Sequence, residues 1–248
     1  MATAKKKAAA KPARTSKAPA AAVKKPAGIA CPHCGKALDG IRPVTAFCRQ
    51  DKTVVAELFK GHEGKFNVFE CAGCGKDVRL DLALVYRDEE HASLIYYLPP
   101  ADRTTIAAAE AAIGRIVEQL FGVDAKSEDV PDCRLTLSLQ EFIEKIALLE
   151  DGLDDRVVEF IKYHIFLRNE HDIDPQKVTL LYNFTSSDEE ALEFVIFNRK
   201  TGKAENATSV PMTLYHEVKD ALLTDKELHE EVCTLFRGRY YVNAAALF

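Results

Sequence analysis

The sequence contains no tryptophan and no run of 18 consecutive apolar residues. A helix needs about 20 such residues to cross a bilayer, so no membrane-spanning helix and no membrane contact are expected. No apolar stretch follows the charged N-terminus, so a secretory signal is not expected either. Hydrophobic residues still make up 47% of the 248 residues, enough for a buried core. We therefore expect a globular cytoplasmic protein.

Acidic residues are missing from residues 1–28, which carry eight of the 33 Lys and Arg residues. The rest of the chain has 25 basic residues against 38 acidic ones, a net charge of −13. The segment has few large apolar side chains to offset the entropy lost on ordering, so we predict a disordered basic arm. Such an arm suits binding to nucleic acid or another polyanion, and it equally suits a solubilising extension.

Catalytic signatures are missing as well. The sequence has no G-x-S-x-G motif, no P-loop and no Rossmann glycine pattern. Without a set of residues that could be assigned to catalysis, we predict that the protein is not an enzyme.

Cysteine is present in an odd number, seven, and disulfides are not expected in a reducing cytosol. Four of the cysteines form two pairs, in "CPHCGK" and "CAGCGK". Cysteines three positions apart on a tight turn place both thiolates on one metal ion, and a following glycine permits the positive φ that closes the turn. Four thiolates form the tetrahedral set of a closed structural zinc site. The sequence predicts Zn²⁺ bound by Cys31, Cys34, Cys71 and Cys74.

A redox pair is the alternative interpretation of "CPHCGK". In thioredoxin-like proteins the motif follows a buried strand and its second cysteine lies in a helix. Here Cys31 follows the predicted arm, and Gly35 disfavours a helix after Cys34. The 36 residues between Cys34 and Cys71 are more than a usual zinc ribbon has, and an inserted strand and helix over 44–69 accounts for them. His33 and Cys48 are weaker ligand candidates.

The hydrophobic pattern predicts an α+β fold. Short strands are expected over 44–48, 66–70 and 77–88, and a hairpin joins the last of these to a strand over 92–99. Helices and strands alternate from residue 101 onward, and two capping boxes, Ser138 with Glu141 and Thr224 with Glu227, predict helix starts. We predict three regions: a disordered arm (1–28), a zinc-ribbon-like β domain (29–100) and an α+β region (101–248).

The sequence also resembles a known family. "CPHCGK" and "LFKGHEGKFNVFECAGCGKDVRLDLALVYRDEEHASLIYYLP" are similar to the CpXC family of bacterial and archaeal proteins, named for its paired Cys-(Pro)-x-Cys motifs. The likeness continues through "SLQEFIEKIALLEDGLDDRVVEFIKYHI" and covers about residues 29–225. Ala72 departs from the family's proline without touching the cysteines. The resemblance implies a bacterial protein with a zinc-ribbon-like metal site and no known activity.

Together these observations predict a zinc-binding protein that works by binding an unidentified protein partner rather than by catalysis. One alternative is a zinc-ribbon protein associated with nucleic acid in transcription or translation through residues 1–28. Another is a thiol–disulfide oxidoreductase using Cys31 and Cys34.

Overall fold

The computed structural model shows a mixed α+β fold, with six α-helices and three β-sheets in the part of the chain that it describes. The predicted α+β class is confirmed. The disordered arm predicted over residues 1–28 lies outside the described residues. The described residues are 29–61, 63–100, 105–122, 130–169, 173–236 and 240–248. Among them, no helix has the length and apolar character needed to cross a bilayer.

Short strands and longer helices follow one another along the chain. The strands are β1 (Ala46–Cys48), β2 (Val68–Glu70), β3 (Asp77–Arg79), β4 (Leu84–Asp88), β5 (Ser93–Tyr97), β6 (Asp132–Thr136), β7 (Val178–Tyr182), β8 (Ala191–Asn198) and β9 (Ala204–Pro211). The helices are α1 (Lys52–Phe59), α2 (Ile106–Phe121), α3 (Leu139–Glu150), α4 (Asp155–Arg168), α5 (Met212–Thr224) and α6 (Lys226–Phe236), followed by a 3₁₀-helix at Ala244–Leu247.

The largest sheet has the order β1-β4-β5-β6. Strands β4 and β5 form the predicted antiparallel hairpin, while β1 pairs parallel to β4 and β6 pairs parallel to β5. Because β6 comes after residue 101, this sheet takes strands from both sides of the boundary predicted between residues 100 and 101.

The single strand predicted over 77–88 is wrong, because the structure divides it between two sheets. Strand β3 pairs with β2 in a separate antiparallel ribbon, whereas β4 belongs to the large sheet. Residues 80–83 connect the two, and the Asp81 carboxylate there accepts a hydrogen bond of 2.5 Å from the Tyr97 hydroxyl. The alternation of apolar residues continues through this connection, so periodicity alone does not reveal the break.

Helix α3 packs between the large sheet and the β7-β8-β9 sheet. Its residues Phe142 and Ile146 are buried among side chains of the large sheet. Ala147 and Leu148 are buried in a second core with α4, β7 and β8. A helix covered on both sides in this way leaves little solvent-exposed surface for its polar residues.

One predicted helix start is confirmed and the other is displaced by one residue. The Ser138 Oγ accepts the Glu141 N–H at 3.1 Å and caps α3 as predicted. Thr224 instead ends α5, and its hydroxyl donates back to the Asp220 carbonyl oxygen at 3.0 Å. Asp225 caps α6, because its Oδ1 accepts the N–H groups of Glu227 and Leu228 at 2.8 and 3.2 Å.

Candidate metal centre

The second cysteine pair lies in the turn that joins β2 to β3. The strands are in register from Val68 opposite Arg79 to Glu70 opposite Asp77. Beyond them the Cys71 N–H donates to the Lys76 carbonyl at 2.9 Å, and the Gly75 N–H donates to the Cys71 carbonyl at 2.8 Å. Gly75 has φ +67°, as its place after the second cysteine predicts. We call this turn, residues 71–76, the second knuckle.

The first cysteine pair repeats this geometry over residues 31–36, the first knuckle. An isolated antiparallel bridge joins Ala30 to Ala37. The Cys31 N–H donates to the Lys36 carbonyl and the Gly35 N–H to the Cys31 carbonyl, both at 2.8 Å. Gly35 has φ +73°, close to the value at Gly75. The repeated sequence therefore forms a repeated structure.

The fold brings the four sulfur atoms of the two knuckles together. All four lie within 4.8 Å of one another. The Cys31 and Cys74 sulfurs are 3.8 Å apart, and those of Cys34 and Cys71 are 3.6 Å apart. Strand β1, helix α1 and strand β2 fill the long interval between the knuckles, as the predicted strand–helix insertion required.

These distances fit a metal ion bound by four thiolates. A regular tetrahedron with metal–sulfur bonds of about 2.3 Å has sulfur–sulfur edges of about 3.8 Å. A disulfide would need about 2.05 Å. The contacts of 3.8 and 3.6 Å between the knuckles match the edge of the tetrahedron, and the cluster therefore has the donors and the spacing of a metal site.

Backbone amides stabilise negative charge on the sulfurs. The His33 N–H donates to the Cys31 Sγ at 3.4 Å, and the Gly73 N–H donates to the Cys71 Sγ at 3.3 Å. The Gly73 hydrogen bond is the main reason that the pKa of Cys71 falls to about 7. A hydrogen bond from Lys76 N–H lowers the pKa of Cys74, but burial and the neighbouring thiols outweigh it and raise that pKa to about 11. A bound dication would remove the mutual repulsion that keeps protons on such a cluster.

The knuckles pack closely, which explains one residue difference between them. A Cβ atom on Gly73 would lie 2.4 Å from the Lys36 Cδ and 3.3 Å from the Cys34 Sγ of the first knuckle. His33 has the equivalent position in the first knuckle and is exposed. An exposed side chain is consistent with the prediction that His33 is a weaker ligand candidate than the four cysteines.

Few apolar side chains support this part of the fold. Cys31 and Cys71 are buried, and Leu38 and Val78 are the other buried members of their cluster. Cys34 and Cys74 are exposed. A core of this size gives little hydrophobic stabilisation. A metal ion would therefore contribute much of the stability of the knuckles.

Comparison with known families bears on the same residues. A family model described as CpXC protein matches residues 29–162, just over half of the chain. The chain belongs to the CpXC family. The match includes both knuckles and all of α3, and it ends within α4, short of residue 225 to which the sequence resemblance extends. The chain has no significant match among the curated proteins and solved structures with which it was compared.

The other cysteines of this CpXC chain lie outside the cluster. The Cys48 thiol donates to the Asp51 Oδ2 at 3.3 Å, Cys133 is buried beside β5, and Cys233 lies 3.4 Å from the His229 ring nitrogen. Across the described ranges, the four knuckle cysteines form the only group of three or more His, Cys, Asp or Glu side chains with metal-binding spacing.

Sequence reasoning missed a buried network of charges between α3 and α4. Lys162 donates to Glu144 at 2.5 Å and to Glu159 at 2.9 Å. Lys145 donates to Glu159 at 3.0 Å and forms an ion pair with Asp155 at 3.1 Å. The sequence around Glu159 and Lys162 is mostly apolar, which could have indicated that these two residues are buried. A helix that is apolar on all sides also buries its polar residues.

Backbone groups from other elements complete this network. The Glu144 Oε1 accepts the Tyr182 N–H of β7 at 2.5 Å, and the Glu159 Oε2 accepts the Ala244 N–H at 2.8 Å. Burial raises the pKa of Glu144 despite the nearby Lys162. Burial also acts to raise the pKa of Glu159, but the charges of Lys145 and Lys162 outweigh it and lower that pKa. The network therefore joins two helices, a strand and the C-terminal turn.

Proposed function

We propose that this CpXC protein holds one structural Zn²⁺ through Cys31, Cys34, Cys71 and Cys74, and that it works by binding another protein rather than by catalysis. The main support is the set of four sulfurs within 4.8 Å of one another, with two contacts between the knuckles at the edge length of a tetrahedral metal site. Four protein ligands complete the tetrahedron and leave no position for substrate or water. A closed site of this kind stabilises a fold and does no Lewis-acid chemistry.

Zinc suits this donor set better than the metals that prefer oxygen ligands. Soft thiolates in a tetrahedral arrangement favour zinc or iron over calcium, magnesium and manganese. Each knuckle closes a short antiparallel connection, which supports a zinc-ribbon-like arrangement. Sulfur contacts of 3.8 and 3.6 Å join each knuckle to the other, which supports one shared metal rather than a separate redox pair in either motif. A cytoplasmic location, where thiols stay reduced, belongs to the same proposal.

We expect metal analysis of the purified full chain to find one zinc per molecule. Replacing both Cys31 and Cys71 by serine should remove the zinc, because a tetrahedral site with two thiolates left binds metal far more weakly. The matched control is Cys48→Ser, which removes a thiol outside the cluster and should leave the metal content unchanged. Folded protein with no metal and four reactive knuckle thiols would contradict the proposal.

A second function, association with nucleic acid, is favoured by the charge distribution. Residues 1–28 carry eight basic and no acidic side chains, while the rest of the chain has a net charge of −13. An acidic body is poorly suited to binding nucleic acid itself, so in this proposal the basic segment supplies the affinity.

If the basic segment binds nucleic acid, affinity for duplex DNA or RNA should fall steeply with salt. If all eight cations contact phosphates, the slope of log K against log salt is about −7, because each phosphate contact contributes about −0.9. Fluorescence anisotropy of a labelled duplex gives the slope. Deleting residues 1–28, or replacing the eight cations by glutamine at constant length, should abolish binding. Equal binding by the truncated chain would assign the affinity elsewhere, and no binding by the full chain would end the proposal.

A further inference from the structure

A cavity of about 300 Å³ lies beside the large sheet, and none of its lining residues belongs to a knuckle. Its base is formed where β5 and β6 run parallel, with Ser93 opposite Asp132 and Ile95 opposite Arg134. The end of α3, the turn that follows it and the start of α4 form another wall. The volume is at the lower end of the range for small-molecule sites and would hold about ten water molecules.

Two of the three carboxylates in the cavity wall, those of Asp132 and Asp155, are already paired with Arg134, while the Asp154 carboxylate accepts the Arg156 N–H at 2.9 Å and caps α4. The Arg134 guanidinium donates all five of its N–H groups: two to Asp132, two to Asp155 and one to the Cys133 carbonyl, at 2.5 to 3.0 Å. Arg134 therefore has no donor left for a ligand, and each of the two carboxylates accepts two of its hydrogen bonds. These groups shape the wall rather than bind.

The cations that remain have N–H groups that no carboxylate uses. Lys145 is buried, and its ammonium contacts Asp155 and Glu159, which leaves one of its three N–H groups. Arg156 and Lys219 also line the cavity, and in the part of the chain that the structure describes neither pairs with a carboxylate. Lys219 instead lies 5.6 Å from the centre of the Tyr215 ring.

A histidine held by a buried carboxylate lines the same cavity. The His91 Nδ1 lies 2.7 Å from the Oδ2 of Asp88, whose side chain is fully buried. Asp88 also accepts the N–H groups of Glu90 and His91 at 3.0 and 3.2 Å. An ionised carboxylate only accepts hydrogen bonds, so the proton in this pair lies on Nδ1 of His91. Nε2 is then left for another partner.

We propose that this cavity binds a small molecule through a phosphate or carboxylate group, with Lys145, Arg156 and Lys219 as the cationic contacts and His91 as a further hydrogen-bond partner. Oxyanions are the ligands that match unused N–H donors on cations, because charge-assisted hydrogen bonds to them are the strongest. The volume of about 300 Å³ selects a compact metabolite over a peptide or a nucleic acid strand. The site is separate from the metal centre and does not depend on it.

Isothermal titration calorimetry of the full chain at low ionic strength tests this site, with inorganic phosphate and succinate as separate probes. We expect saturable binding of at least one probe, and the probe that binds identifies the class of oxyanion. Arg156→Gln and Lys219→Gln should each weaken binding about tenfold, the loss of one charge-assisted contact. His91→Gln should weaken it as well.

The matched control is Lys177→Gln, which removes an exposed lysine that pairs with Asp174 outside the cavity. This variant should bind like the unaltered chain. Arg156 is exposed and Lys219 is partly exposed, so replacing them should leave the fold intact. Thermal melting of every variant checks this. Failure of both probes to bind at millimolar concentration would overturn the proposal. Equal affinities of the Arg156 and Lys219 variants and the control would overturn it as well.

Discussion

Removing the metal from this CpXC protein is expected to unfold the two knuckles and to leave the four-stranded sheet folded. The knuckles have their own small core, in which Leu38 and Val78 are the fully buried aliphatic side chains. The large sheet has a separate core with Phe142 and Ile146 of α3. Binding of structural zinc contributes on the order of 10 kcal/mol to folding at neutral pH. The small core of the knuckles cannot replace that contribution.

Amide hydrogen exchange read by mass spectrometry measures this local unfolding. With a chelator present, residues 29–42 and 67–80 should lose protection, whereas β5 and α3 should keep it. Cys71→Ser should produce the same pattern without chelator, since it removes a buried ligand. Cys48→Ser is the control and should exchange like the unaltered chain.

Two outcomes would contradict this expectation. Unchanged protection in the knuckles after treatment with the chelator would mean that packing alone holds them. Simultaneous loss of protection in β5 would mean that the metal stabilises the whole fold. Two connections could carry that effect: the hydrogen bonds of 2.8 Å between the Asn67 side chain, just before β2, and the Val44 backbone, and the hydrogen bond from Tyr97 of β5 to Asp81.

The cluster of four cysteines was predictable because its signal is local. Cys31 with Cys34, and Cys71 with Cys74, each need only a six-residue turn to place two sulfurs on one side. The glycine after each second cysteine supplies the positive φ that the turn requires. The one long-range step, bringing the two knuckles together, follows once four thiolates are assigned to a single ion.

The sheet assignments needed information that periodicity does not carry. Strand β9 was not predicted, because its residues are mostly exposed and polar and show no alternation. It exists because it pairs with β8, from Ala191 opposite Pro211 to Phe197 opposite Ala204. Likewise, nothing near β6 indicates that its partner is β5, which precedes it by a whole helix.

The buried charges were not predicted, because opposite charges at a given spacing look the same in the sequence whether the pair is buried or exposed. Glu159 and Lys162 are three residues apart, the spacing of ordinary surface ion pairs on helices. Their side chains are only 1% and 2% exposed, because α3, β7 and the C-terminal turn cover α4. Tertiary packing, which the sequence pattern does not contain, decides between the two cases.

Replacing Lys162 by methionine is expected to destabilise the protein by about 3–5 kcal/mol, the usual cost of removing one partner from a buried ion pair. The ammonium pairs with Glu144 and Glu159, both almost fully buried. Glu159 keeps Lys145 and the Ala244 N–H, but Glu144 keeps only the Tyr182 N–H. Denaturant unfolding followed by circular dichroism measures the loss. Lys177→Met removes an exposed pair with Asp174 and should cost less than about 1 kcal/mol.

The loss caused by Lys162→Met should shrink as the pH falls from neutral towards the acid range. Burial already raises the pKa of Glu144, and Lys162 opposes that rise, so removing the lysine raises this pKa further. A carboxyl group whose folded pKa lies above its unfolded value stabilises the fold at low pH and loses that contribution as the pH rises through the folded pKa. The variant therefore regains stability relative to the unaltered chain when Glu144 takes up a proton.

The double variant Glu144→Gln, Lys162→Met separates this explanation from a simple packing defect. With the carboxylate neutralised, the double variant should be more stable than Lys162→Met alone at neutral pH, and its deficit should depend less on pH. A deficit that is the same in both variants and constant with pH would mean that the methionine disturbs packing and that the charge pair contributes little. The network would then be dispensable for stability, although it connects α3, α4, β7 and the C-terminal turn.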